Sequence, residues 1–283
     1  MKPFQLPSWR KKQINEKYAR KDKTIHFAVS RIEAVMKKAV DEIMDGYERT
    51  GEFHPPTLNA MFAVSDEFYR KVVEQGFYAS EDEKSMQRGR KRLAKPGPIG
   101  IPRTMRDLEK FFRDKNAWPK VLKRSKLLTE RLRKQYIQKL RKRFEKLGPM
   151  LKSGEITPME AKSQMMDSWR TSKSRVETIF RTETTNYFGK TQVSFFEGDP
   201  EIIGFLFDSI RDVSRTDICR TRHGLIYRPG SKLLRENTPA LHYNCRSHLI
   251  ALANTPHNRK MVEDPDRNPE GRAVAPLPPG WRK

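Results

Sequence analysis

The chain has 283 residues, 36% of them apolar and 33% charged, with a mean hydropathy of −0.83 and a formal net charge of +23. That is long enough for about two domains but too hydrophilic for one tightly packed globule of this size. Two cysteines exclude a disulfide framework, and no signal-type or membrane-spanning apolar run occurs, so a secreted or membrane-embedded role is not expected.

Charge is unevenly distributed. Residues 1–23 carry eight Lys/Arg against Glu16 and Asp22, and residues 41–83 carry eleven acids against Arg49, Arg70 and Lys71. Residues 120–147 carry twelve Lys/Arg against Glu130 and Glu145. Such blocks point to an anionic partner or to neutralisation by other protein surfaces, and do not decide a fold.

Residues 1–23 read as a basic arm, with Pro3 and Pro7 opposing an early helix. Residues 24–79 read as a helical hairpin. In its first helix Ile25, Val29, Ile32, Val35, Met36, Ala39, Val40 and Ile43 recur at three- and four-residue steps, up to a stop at Gly51. Its second helix is expected from Leu58 to Gln75, capped by Thr57 and ended by Gly76. Residues 80–104 read as a linker: RGRKR is followed by Pro96, Gly97, Pro98, Gly100 and Pro102, which cannot sustain a helix. RGRKR is a solvated basic loop or phosphate contact in preference to a localisation signal.

Residues 105–170 read as a basic helical region, with a helix from Arg106 to Lys126 and another from Thr129 to Leu147, closed by Gly148 and Pro149. Opposite the apolar stripe of the latter stand Lys134, Arg141, Lys142 and Arg143, placed to follow a phosphate backbone or simply to face solvent. Thr157-Pro158-Met159-Glu160 is a capping box opening a short helix to about Trp169, and a further helix runs from Ser172 to about Phe196. Periodicity then changes. Ile202–Phe207, Gly224–Tyr227 and His248–Leu252 read as strands. The fold class expected is α+β: a mainly helical N-terminal two-thirds with extended arms, then a small α+β module over residues 171–253. Residues 254–283 read as a Pro-rich C-terminal arm.

Both cysteines and three of the six histidines lie between Asp208 and Leu252. Cys219 and His223 are four apart, and His242 and Cys245 three apart. Two ligand types, a gap and two more is the layout of a structural zinc site. A Cys219–Cys245 disulfide, a buried thiol pair, and a Cys/His enzyme built from Asp212, Asp217, Cys219, His223 and His242 are the other readings. Structure is favoured over catalysis, because no motif assigns the catalytic roles. No cofactor is expected, zinc being the alternative.

Residues 175–252 resemble the phage Mu F-like minor head proteins, also called head morphogenesis proteins. The resemblance rests on an ordered set. Arg181-Thr182-Glu183 lies on a helix, a strand precedes Asp208, and Asp212 and Arg215-Thr216 follow. Cys219 and His223-Gly224 lead into the next strand, and Pro239-Ala240-Leu241-His242-Tyr243-Asn244-Cys245-Arg246 precedes the last. Tyr243 stands where the family commonly has proline, and Ser247 where it commonly has a second cysteine. The resemblance implies a non-enzymatic head protein of a tailed phage, assembled in the host cytoplasm and located in the virion at the portal vertex inside the capsid. It implies portal protein, major capsid or scaffold protein and double-stranded DNA as partners, with several copies per vertex and no membrane. Arg181, Glu183, Asp212, Arg215, Asn244 and Arg246 then hold the module together. A zinc-dependent nucleic-acid-binding protein acting free in the cell is the rival reading.

Overall fold

The computed structural model describes residues 8–87, 113, 117–196, 198–279 and 281. The start of the basic arm, the Pro/Gly run of the linker and residues 106–116 of the helix expected from Arg106 to Lys126 fall mainly or wholly outside these residues. Four long helices come first: α1 (Ser8–Thr50), α2 (Ala60–Gln87), α3 (Ala117–Lys152) and α4 (Pro158–Phe196). A three-stranded sheet with short helices follows: β1 (Ile202–Asp208), α5 (Asp217–Arg220), β2 (Ile226–Tyr227), α6 (Lys232–Asn237), β3 (His248–Ala253) and α7 (Pro256–Glu263). The α+β class expected from sequence is therefore the class observed.

The chain forms two compact units. Among the described residues, one comprises those within 24–70 and 113–178; the other comprises those within 8–23, 71–87 and 179–281.

The first unit is helical. Ile25, Val29, Ile32, Met36, Ala39, Val40 and Ile43 are buried along α1, as the periodicity predicts. Val40, Ile43 and Met44 join Leu140, Phe144 and Leu147 of α3 and Ala161 and Met165 of α4 in one core. Gly51 ends α1 at φ +71°, its N–H donating to the Tyr47 carbonyl at 2.7 Å. Thr157 and Glu160 form the expected capping box, with reciprocal bonds of 2.7 and 3.2 Å.

The helices run longer than expected, for identifiable reasons. Thr129 caps nothing: it is buried within α3, and its hydroxyl donates to Ser65 at 2.7 Å. Helix α3 passes through Gly148 and Pro149, because proline within the last turn removes only one helical hydrogen bond. The stop is Gly154, at φ +76°, beside a Glu155 N–H bond to the Met150 carbonyl at 2.9 Å. Helix α4 is unbroken at Thr171 and Ser172, whose hydroxyls return to the carbonyls of Asp167 and Ser168 at 3.1 and 2.9 Å and so remain compatible with the helix.

In the second unit Gly76 lies inside α2 rather than ending it. A Cβ there would meet Thr191 of α4 at 3.0 Å, so this glycine permits close helix approach. The sheet order is β2-β1-β3, antiparallel throughout, with Phe205 opposite Tyr227 and Leu206 opposite Ile250. One face puts Phe205, Phe207, Tyr227, Leu249 and Ala251 into a core with Phe196, Cys219, Leu234, Leu241 and Cys245. The other face, Leu206, Ile226, Ile250 and Leu252, is covered by Met261 and Val262 of α7. Burial on both faces explains why the strands read as apolar runs rather than alternating patterns.

The residues after 254, expected as an extended arm, fold onto this module. Thr255 caps α7 with Pro256 at its first position. Val274, Leu277 and Trp281 pack against the sheet core, and Trp281 meets Tyr243 edge to face at 5.1 Å. Buried Arg222 donates to the Ala275 carbonyl at 2.8 Å, the Ile218 carbonyl at 2.9 Å and Asn237 Oδ1 at 2.7 Å. Ala275 is tied in both directions, its carbonyl accepting from Arg222 and its N–H donating to Thr221 Oγ1 at 3.0 Å. At the other end, residues 8–23 of the expected arm are helical, as the start of α1.

Candidate functional site in the Cys–His module

Helix α5 is one turn long and is capped by Thr216, whose side chain accepts from the Cys219 N–H. That turn aims Cys219 inward, 3% exposed. The opposing wall is the segment 238–247, which is tied to α4. Thr185 donates to the Cys245 carbonyl at 2.8 Å, Thr182 Oγ1 accepts from the Asn244 N–H at 2.9 Å, and Arg181 donates to Asn244 Oδ1 at 3.1 Å. Asn244 is left-handed at φ +59°, a conformation that asparagine tolerates better than most residues. Glu183 is buried on the same helix.

These contacts bring together Cys219, His242 and Cys245, whose donor atoms all lie within 4.8 Å of one another. The two sulfurs are 3.9 Å apart, and Cys219 Sγ is 3.1 Å from His242 Nε2. Ser247 places its hydroxyl 3.0 Å from Cys219 Sγ, and Thr216 Oγ1 is 3.0 Å from His242 Nε2. The Tyr243 carbonyl lies 2.7 Å from His242 Nδ1. A carbonyl only accepts, so Nδ1 carries the proton and the Nε2 lone pair faces the sulfurs.

The thiols are unequal. The Cys219 thiol is held well above its ordinary range by its hydrogen bond to Cys245 and by burial. That same bond, with help from His242, lowers Cys245. Burial opposes a charged His242, but hydrogen bonding to Cys245 and its charge outweigh this and raise His242 overall. Thr216, Cys219, His242 and Ser247 are among the residues lining a small cavity of about 20 Å³.

His223 does not join this set. Its Nδ1 accepts from the Ser209 N–H at 3.1 Å, its Nε2 is 2.8 Å from Arg211, and Asp208 is 3.5 Å away. Burial, then Arg211, Arg215 and Arg267, push it down to about 4, so it is neutral at physiological pH. The spacing of four from Cys219 misleads because Ser209 and Arg211 engage both nitrogens of the His223 ring. Asp212 pairs through both oxygens with Arg246, at 2.7 and 2.6 Å, and this pairing lowers its carboxyl. Arg215 contributes a backbone bond to Asp212 and part of the cavity wall. The contact that sequence reading does not reveal is Arg222, buried and bonded to three acceptors. Nothing marks it among the surrounding arginines.

The basic residues singled out on α3 are in the helical unit. Lys134, Arg141 and Lys142 are exposed, whereas Arg143 is half-buried and donates to the backbone carbonyl and side chain of Gln164 at 3.3 and 3.4 Å. Among the described residues no helix is long and apolar enough to cross a membrane.

Residues 130–250 match the family model described as Phage Mu protein F like protein. The match begins within α3, upstream of the motif set read from sequence, and ends in β3. This part of the chain is Mu F-like, which points to phage head morphogenesis. No match was found among curated proteins or among solved structures.

Proposed function

We propose that the chain is a structural minor head protein of a tailed phage, placed at the portal vertex inside the capsid, where it contacts portal protein and packaged DNA and assists head assembly or genome delivery. The observation that carries this reading is the Mu F-like match over residues 130–250, together with an ordered module in which the motif residues hold one another. Arg181, Asn244, Asp212 and Arg246 all make contacts that fasten loops, the role expected of a scaffold rather than of a reacting centre.

The DNA contact is assigned to α3. Lys123, Lys134 and Arg141 are exposed and separated by 11 and 7 residues; Arg124, Arg131 and Lys142 are exposed and separated by 7 and 11. At about 100° per residue each trio falls within roughly 20° of one line, and 18 residues extend about 27 Å. Two parallel rows of cations on that length suit a run of phosphates. A +23 chain is also suited to a DNA-filled shell.

Quantitative mass spectrometry of purified virions and proheads tests the placement. A few copies per particle, cross-linking to portal protein, are expected. Absence from both particles removes the basis of the proposal.

A further inference from the structure

We propose that Cys219, His242 and Cys245 bind one zinc ion, with a water molecule as the fourth ligand. The geometry supports this before any ion is placed. Tetrahedral zinc with Zn–S bonds of about 2.3 Å holds two sulfurs roughly 3.8 Å apart. The observed Sγ–Sγ distance is 3.9 Å, and the three donor atoms cluster within 4.8 Å. The Cys219 Sγ to His242 Nε2 distance is 3.1 Å, against roughly 3.6 Å in such a site, so the ring withdraws slightly as the ion enters.

His242 is prepared as a ligand. Its Nδ1–H donates to the Tyr243 carbonyl at 2.7 Å, leaving Nε2 to face the sulfurs. An outer hydrogen bond of this kind fixes the tautomer and orientation of metal-binding histidines. Two of the three ligands, Cys219 and His242, line an adjoining cavity whose volume of about 20 Å³ is enough for a single water as the fourth ligand. The Thr216 and Ser247 hydroxyls lie 3.0 Å from His242 Nε2 and Cys219 Sγ, in reach of that water and of the thiolate.

Burial supplies the energetic reason. Cys219 is 3% exposed and Cys245 fully buried, so thiolates there are costly unless neutralised. One Zn²⁺ with two thiolates and a neutral imidazole is electrically balanced. Each thiol releases its proton to solvent as its sulfur binds. The ion then joins α5 to the segment before β3 across the 26 positions between Cys219 and Cys245, acting as a staple for the module. His223, turned toward Asp208 and Arg211, is not a ligand.

The test uses the full chain, purified reduced, stripped of metal, and titrated with Co²⁺ and then Zn²⁺. One Co²⁺ per chain is expected, with the intense thiolate charge-transfer and visible bands of tetrahedral coordination, displaced by one Zn²⁺. C219S, C245S and H242A should each weaken Zn²⁺ binding by at least tenfold, while H223A binds like the parent chain. Titration of the unmutated chain keeps the test valid where a variant does not fold. Failure of the reduced parent chain to take up Co²⁺ overturns the proposal. So does loss of binding in a folded H223A variant, which would require a different ligand set.

Discussion

Replacing Lys123, Lys134 and Arg141 together by Gln removes one of the two cationic rows of α3 while leaving its buried stripe of Leu132, Tyr136, Leu140 and Phe144 untouched. If the six cations of the two rows each neutralise one phosphate, the slope of log K against log salt is about −5, from roughly −0.9 per phosphate. Raising salt from about 50 to 200 mM then weakens binding about 10³-fold, and the triple variant, with half the contacts, loses only about 40-fold. Fluorescence anisotropy with a labelled duplex of random sequence, repeated at several salt concentrations, measures both slopes. Neutralising Lys232, Arg259 and Lys260, which are exposed on the sheet module, is the control and should leave the slope near its parent value. A parent slope near zero, or a slope unchanged in the triple variant, refutes the assignment of DNA contact to this helix.

Other expectations concern the module. Gly204→Ala places a Cβ 2.7 Å from Ile226 Cγ2, and overpacking of this kind costs about 1–3 kcal/mol, which urea denaturation reads as a lower midpoint at unchanged slope. Deleting residues 271–283 removes the Ala275 carbonyl from buried Arg222; a buried donor left unpaired costs about 1–3 kcal/mol before any lost packing, and a melting temperature equal to that of the full chain would contradict the packed tail. His223 is neutral in the fold, with Asp208 and His248 nearby and Arg211, Arg215 and Arg267 acting against its charge. Its folded value of about 4 lies below the unfolded value near 6.5, so its contribution is complete above pH 6.5 and is lost as pH falls toward 4. The span amounts to roughly 3 kcal/mol at most, and H223Q should flatten the decline in thermal stability between those limits relative to the parent. Arg143→Gln, because Arg143 is bound to Gln164, should change the DNA salt slope less than Arg141→Gln.

What sequence reveals here depends on whether a signal is local. Ile202–Phe207 and His248–Leu252 are dense apolar runs with punctuation such as Gly198-Asp199-Pro200 and Asn254, and both are strands. The α1 stripe and the Thr157–Glu160 box are equally local and are found as expected. Helix ends are less legible because Gly76, Thr129 and Ser172 have meanings set by distant neighbours: Thr191, Ser65 and, through Lys139 at 2.6 Å, α3. The site divides in the same way. Spacing nominates Cys219, His223, His242 and Cys245 as one set, but the His223 ring is held by Ser209 and Arg211, and only the fold distinguishes ligand-like from arginine-bound histidine. Tail packing is illegible for a related reason: Val274, Leu277 and Trp281 are isolated apolar residues among prolines, and the core that receives them is built far upstream.

That docked tail also sets an order of events during synthesis. Trp281 is translated 28 positions after Ala253, the last residue of β3, and helps to cover the core of that sheet. At about 5–20 residues per second the interval is roughly 1–6 s. Throughout it, the nascent sheet has its strands but lacks its last covering segment, and Arg222 lacks its Ala275 acceptor. The module is thus completed near the end of elongation. Its exposed aromatic face is the surface most in need of a chaperone or an early partner.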